Sequence, residues 1–145
     1  MAIRAQSTTS VSSIPDAAAA ALALLLLFAT TILGVPQAHA QTFTVLHTFT
    51  GAPDGALPEA GVTMDAAGNL YGTTFHGGTN GVGLVYKLTH KRSGWVLSPL
   101  YSFQGGQDGY FPAAGVTIGR DGNLYGTTEV GGTAGDGTVY AVKPQ

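Results

Sequence analysis

Short runs of hydrophobic and β-branched residues recur along the chain after residue 41 and are separated by glycine-rich connections. The first four runs lie at 43–49, 61–64, 70–74 and 84–88, and the next four lie at 95–103, 115–118, 124–128 and 138–142. They are rich in Val, Thr, Tyr, Phe and Leu, the residue types that suit a pleated, half-buried sheet surface. No segment in this region keeps a helical period, so the pattern predicts eight short strands.

The connections before the third run of each half carry a turn signal. Gly68-Asn69 and Gly122-Asn123 stand directly before the strands at 70–74 and 124–128. Glycine adopts positive φ at little cost, and an Asn side chain can bond its own backbone two residues on. We therefore expect the second and third strands of each half to form an antiparallel hairpin.

The two halves are one repeat read twice, with a constant offset of 54 residues. Gly-Asn-Leu-Tyr-Gly-Thr-Thr occurs at 68–74 and 122–128, and Val-Tyr occurs at 85–86 and 139–140. Four antiparallel strands in a repeat of fixed length are typical of a β-propeller blade. The sequence predicts an all-β fold of two antiparallel four-stranded repeat units, at about 43–91 and 95–145, that resemble blades of an incomplete propeller.

Blades bury their faces by stacking on one another. The repeated apolar positions are therefore the predicted core between blades: Leu70, Tyr71, Val85 and Tyr86, with Leu124, Tyr125, Val139 and Tyr140 in the second copy.

Residues 1–40 have the composition of an export signal. Arg4 precedes an apolar run at 17–35, and Pro36 and the small-residue motif Ala38-His39-Ala40 follow it. This order predicts a helical signal peptide cleaved after Ala40, which leaves residues 41–145 as the mature chain. An uncleaved signal anchor is the alternative, since the apolar run is long enough to span a bilayer. We expect export to the periplasm or the extracellular space, with no stable membrane insertion after cleavage.

Composition excludes several classes of function. The net charge is −2 and only 10% of residues are charged, which gives no reason to expect nucleic acid as a partner. Cysteine is absent, so disulfides, thiolate metal sites and cysteine nucleophiles are excluded. His47, His76 and His90 are not repeated between the two halves, and we expect neither a metal site nor a cofactor. No catalytic motif is present.

Four residues are candidates for ligand binding. Asp54 and Asp108 are equivalent, and each precedes a glycine. They are interpreted either as turn carboxylates that bond backbone N–H groups or as ligands for an ion or another molecule. Tyr110 and Phe111 follow in the next loop, where aromatic rings either stack on a sugar or pack on the neighbouring blade. The Asp121-Gly122-Asn123 turn looks like part of a calcium loop, but the first copy has Ala67 in place of Asp121.

The motif Gly-Asn-Leu-Tyr-Gly-Thr-Thr-x-x-Gly-Gly, followed by Gly-x-Gly-x-Val-Tyr, resembles the GloVer (Gloeo/Verruco) tandem repeat of secreted bacterial proteins. The stretch at 100–115 fits the same repeat, and the resemblance covers almost the whole mature chain. It implies export, many tandem copies and often a surface-sorting anchor, with no catalytic residues to carry over. This sequence departs from the pattern in having two copies, and we expect no anchor.

Three hypotheses about function follow. The first is a non-enzymatic extracellular binding or assembly module, whose partners are copies of itself, other repeat chains, or a carbohydrate or cell-surface ligand. The second is a lactonase-like hydrolase or lyase on a propeller scaffold, which requires polar residues to converge in one pocket. The third is a truncated fragment of a longer repeat protein.

Overall fold

The computed structural model describes residues 41–144. The predicted signal peptide and its cleavage site lie outside the described residues. Within them the chain is all-β, as predicted, and folds into one four-stranded and one three-stranded antiparallel sheet. The described residues contain no helix long and apolar enough to cross a bilayer.

Both sheets are meanders in which each strand pairs with the next along the chain. The first sheet contains β1 (Thr63–Met64), β2 (Leu70–Thr74), β3 (Leu84–Lys91) and β4 (Gly94–Ser102). The second contains β5 (Thr117–Ile118), β6 (Leu124–Thr128) and β7 (Thr138–Val142), and a 3₁₀ turn at Gly106–Asp108 precedes it. The predicted hairpins are confirmed, because β1 pairs antiparallel with β2 and β5 pairs antiparallel with β6.

The central glycine of the Leu-Tyr-Gly-Thr-Thr motif makes room for a tyrosine on the next strand. Gly72 lies opposite Tyr86, and Gly126 lies opposite Tyr140. A Cβ atom at Gly72 would stand 2.6 Å from Cζ of Tyr86, and the same distance separates a Cβ at Gly126 from Cζ of Tyr140. Each ring therefore lies across the glycine backbone, which explains why the motif pairs Gly with Val-Tyr.

The sheets are out of phase with the sequence repeat. β4 belongs to the second repeat by sequence, but it pairs with β3 and completes the first sheet. The equivalent segment of the first repeat, residues 43–49, is not a strand, so that prediction is wrong. A strand forms when another strand satisfies its backbone groups. β4 pairs with β3, whereas residues 43–49 have no strand to pair with among residues 41–144.

The core lies between the two sheets and on the outer face of the first. The cluster between the sheets is built from Tyr71, Val85, Phe103, Val116 and Leu124, and the outer cluster from Leu70, Leu84, Tyr86 and Leu88. Two residues predicted to be core are instead exposed.

Those two residues are Tyr125 and Val139, which are 39% and 80% exposed, while the equivalent Tyr71 and Val85 are 3% and 0% exposed. The expectation is wrong for these two residues because no described segment covers that face of the second sheet, whereas Leu124 and Tyr140 of the same copy belong to the cluster between the sheets.

Candidate interaction surface

The interface between the two sheets combines apolar packing with hydrogen bonds to the backbone. Val85 and Phe103 are almost fully buried at its centre. The hydroxyl of Thr73 donates to the carbonyl of Ala114 at 3.0 Å, and the hydroxyl of Thr63 donates to the carbonyl of Val116. One face of the first sheet is thus held against the second sheet by both threonine hydroxyls and buried side chains.

The loop before β5 adds a second set of contacts between the repeats. The N–H of Phe111 donates to the carbonyl of Val82 at 3.0 Å. Its ring stacks on Phe75, with centroids 4.8 Å apart, and meets His76 edge-on at 5.1 Å. Of the two interpretations of Phe111, the structure shows packing on the neighbouring repeat. Tyr110 is half-buried and forms an isolated bridge with Val130.

The corresponding face of the second sheet is open. Thr117 and Thr127 are the equivalents of the two interface threonines, and both are exposed, with no partner for their side-chain hydroxyls among residues 41–144. Tyr125 and Val139 are exposed beside them. Together with Ala114, Gly115 and Gly126 they line a shallow depression of about 290 Å³. We call this the open face.

The outer edge of β7 is also open. β6 occupies one edge of β7, and no described strand pairs with the other. A cavity of about 250 Å³ is lined by all five β7 residues together with Tyr101, Phe103, Gln107 and Asp108. Since alternate residues of a strand face opposite sides, a cavity that touches all of them runs along the strand edge. We call this the open edge.

The candidate carboxylates lie in separate turns. Asp54 accepts the N–H of Thr50 at 3.1 Å and its hydroxyl at 2.7 Å, and lies 3.0 Å from Nε2 of His47. These bonds, that of the Thr50 hydroxyl foremost, lower the pKa of Asp54. Asp108 accepts the N–H of Gln104 at 3.0 Å. Both carboxylates therefore bond backbone N–H groups, as the turn interpretation requires.

The two turns differ in one hydrogen bond. Tyr101 occupies the position of His47, and its hydroxyl donates to Oδ2 of Asp108 at 2.6 Å, which raises the pKa of Tyr101. Gln104 occupies the position of Thr50 and lacks the short hydroxyl that bonds Asp54. The second oxygen of Asp108, Oδ1, is buried and has no partner within residues 41–144.

Asp65 has the same role in its turn as Asp121, although the two residues do not align between the repeats. Asp121 accepts the side-chain N–H of Asn123 at 2.7 Å and the hydroxyl of Tyr125 at 2.7 Å. The first copy has Ala67 at the equivalent position, but Asp65, two residues earlier, accepts the hydroxyl of Tyr71 at 2.9 Å. Both turns thus use a carboxylate to hold a tyrosine hydroxyl, a role that does not require an ion.

These bonds shift the pKa values of the turn residues. The Asn69 side chain donates to Asp65 at 2.8 Å, and this bond with the others lowers the pKa of Asp65 to about 2. Burial and the neighbouring carboxylate raise the pKa of Tyr71 to about 12. At neutral pH the pair is therefore a carboxylate accepting from a neutral phenol.

The histidines and carboxylates do not converge on one site. His47 contacts Asp54, whereas His76 packs on Phe75 and Phe111, and His90 packs on Trp95. Within the described region no three His, Asp or Glu side chains are placed to hold a metal ion.

Comparison with known protein families identifies the repeat. The Gloeobacter/Verrucomicrobia repeat matches residues 31–145, and it is the repeat that the Gly-Asn-Leu-Tyr-Gly-Thr-Thr motif resembles, so that expectation is confirmed. No curated protein and no solved structure matches the chain.

Proposed function

Because this chain belongs to the Gloeobacter/Verrucomicrobia repeat family, we propose that it is an exported, non-enzymatic module that acts outside the cytoplasm by binding or assembly. One observation carries the proposal. The positions that form the buried interface of the first sheet, at Tyr71 and Val85, are exposed at Tyr125 and Val139 in the second. A contiguous apolar surface beside unpaired hydroxyls is typical of a recognition surface.

The proposal includes a propeller-like architecture. Its support is the four-stranded antiparallel meander and the strand that the second repeat contributes to the first sheet. The stacking of the two sheets face to face adds to it. Propellers have about four to eight blades, so a closed ring of two-blade chains requires about two to four copies.

A hydrolase or lyase would need several polar side chains in one pocket. His47 and Asp54 are in contact, but the Asp54 carboxylate is also engaged by Thr50, and Asp108 lies in a different turn. The cavity beside Asp108 also contains Gln107 and Thr138, its other lining residues are aromatic or aliphatic, and it is lined by no histidine. No specific observation favours the enzyme hypothesis, and we do not extend the proposal to it.

Export is tested by expressing the chain in a bacterial host and sequencing the N-terminus of the product recovered outside the cytoplasm. The expected product begins at Gln41. A product that keeps Met1 and stays in the cytoplasmic or membrane fraction contradicts the proposal.

Binding and assembly are tested on that same product. Light scattering gives its mass, and retention on immobilised polysaccharides tests carbohydrate binding. Tyr110→Ala and Asp108→Asn should reduce retention on a polysaccharide that the natural chain binds. Ala67→Ser, in an exposed turn, is the control and should be retained like the natural chain. A folded monomer that is retained on none of the polysaccharides refutes the proposal, whereas a defined oligomer or a polysaccharide complex supports it.

A further inference from the structure

We infer that the open face and the open edge of the second sheet bind a second copy of this chain, head to tail. Residues 43–48 of that copy add to β7 as the fourth strand of the second sheet. The inference rests on the assembly branch of the proposed function, and it names the partner and the register.

The register follows from the pairing of β3 with β4. In that pairing Leu84 lies opposite Ser102, Val85 opposite Tyr101, Lys87 opposite Ser98 and Leu88 opposite Leu97, with a bulge between Val85 and Tyr86. The same pairing is transferred by one repeat of 54 residues, forwards from β3 to β7 and backwards from β4 to residues 43–48 of the second copy. Thr138 then lies opposite Thr48, Val139 opposite His47, Ala141 opposite Thr44 and Val142 opposite Phe43.

The open face finds its acceptors in the same second copy. Within one chain, Thr63 and Thr73 donate to the carbonyls of Val116 and Ala114. One repeat on, the donors are the hydroxyls of Thr117 and Thr127, which have no partner within residues 41–144. The acceptors are the carbonyls of Val62 and Ala60 in the second copy. The edge contact and the face contact thus call for the same copy in the same orientation.

The apolar residues left exposed fall on the two surfaces that this contact joins. Val139 is 80% exposed on one surface, and Val62 and Met64 are 51% and 62% exposed on the other. Val85, the equivalent of Val139, is 0% exposed within the chain, and Val116, the equivalent of Val62, is 3% exposed.

Phe43, which is 89% exposed, is the counterpart of Leu97. Leu97 packs on the outer cluster of the first sheet. In the second copy, Phe43 takes that place beside Tyr140.

The open edge carries none of the features that keep sheet edges apart. Natural edge strands are blunted by charged residues, proline or bulges. β4, the outer strand of the first sheet, contains Pro99 and pairs across a bulge. β7 reads Thr-Val-Tyr-Ala-Val, with no charge and no proline. It is a strand with a free hydrogen-bonding edge and nothing to repel a partner.

Disulfide cross-linking between singly substituted full-length chains tests the register, since the natural chain has no cysteine. Thr44→Cys in one chain is mixed with Ala141→Cys in another and oxidised mildly. Residues directly opposite across two strands have the Cα separation that a disulfide needs. We expect a covalent dimer in about tenfold greater yield than in the control mixture of Val45→Cys with Ala141→Cys, whose side chains point to opposite faces.

A face variant supplies a second readout. Val139→Lys places a charge on the open face, and Ala67→Lys places the same charge in an exposed turn of the other sheet. We expect Val139→Lys to be monomeric by light scattering with an unchanged circular dichroism spectrum, and Ala67→Lys to keep the oligomer of the natural chain.

The outcomes separate this inference from the proposed function. An oligomer that does not cross-link in the matched pair, or cross-links equally in both pairs, overturns the inference while assembly itself stands. A monomer that binds a polysaccharide also overturns it while the binding proposal stands. A monomer that binds nothing overturns both.

Discussion

Replacing Gly72 with alanine tests the account of the Gly-Tyr pair. The new methyl group would lie 2.6 Å from Cζ and 3.1 Å from Cε1 of Tyr86. Carbon atoms in contact stand about 3.5–4.0 Å apart. Tyr86 is 3% exposed, and its ring packs on Phe49 with centroids 5.2 Å apart, so the ring has no free space to enter.

The expected loss of stability follows from two opposing effects. Forcing an extra methyl group into a packed core costs about 1–3 kcal/mol. Alanine also lowers the conformational entropy of the unfolded chain, which offsets about 0.4–1 kcal/mol of this cost. We expect the free energy of unfolding of Gly72→Ala to fall by about 1–2 kcal/mol, and the melting temperature to fall by roughly 5–15 °C.

A double-mutant cycle with Tyr86→Val gives the decisive measurement. Urea unfolding of the full chain is followed by the fluorescence of Trp95, which packs on the same outer cluster. With the ring removed, Gly72→Ala should cost nothing or stabilise slightly. Gly126→Ala under Tyr140 is a second test of the same contact. An equal penalty with and without the Tyr86 ring refutes the reasoning.

Three further predictions concern single side chains. Val85→Ala should lower the free energy of unfolding by about 2–3 kcal/mol because Val85 is fully buried, whereas Val139→Ala should change it by less than about 0.5 kcal/mol in dilute solution, as equilibrium urea unfolding can check. Gln104→Thr should raise stability by about 1 kcal/mol, since it offers a hydroxyl to the unpaired Oδ1 of Asp108; an unchanged urea midpoint would contradict this. The pKa of Asp65 is about 2 in the folded chain against 3.8 ordinarily, so its contribution is present above pH 4 and is lost as the pH falls towards 2. Asp65→Asn should flatten that fall, measured as the urea midpoint between pH 5 and pH 2.

Local sequence pattern was sufficient to predict three of the strands. The predicted bounds of the strands at 70–74, 124–128 and 138–142 agree with the structure to the residue. Their residue types and the turns before them indicate a strand from local sequence alone. Residues 95–103 agree with β4 to within one residue at each end. The equivalent segment at 43–49 has a similar pattern and is not a strand, because pairing depends on a neighbouring edge that a pattern does not reveal.

Burial and turn contacts were harder to predict for the same reason. Val85 and Val139 are the same residue in the same motif, and only the presence of a covering sheet separates 0% from 80% exposure. The role of Asp65 is not visible when the two repeats are aligned, because Ala67 occupies the position equivalent to Asp121. Asp65, two residues before Ala67, accepts the equivalent tyrosine hydroxyl, that of Tyr71. The sequence around Phe111 allows two interpretations, because it does not reveal that the fold brings Phe75 against the Phe111 ring.

The sequence repeat in this chain does not coincide with the unit of folding. Since β4 is encoded with the second repeat but completes the first sheet, each added copy finishes the sheet before it and leaves a new unfinished one behind. Copy number can therefore grow by whole repeats without any change to the interfaces already made. The same arrangement has a consequence at the end of the array: the last sheet always lacks its fourth strand, which must come from the segment or molecule that follows.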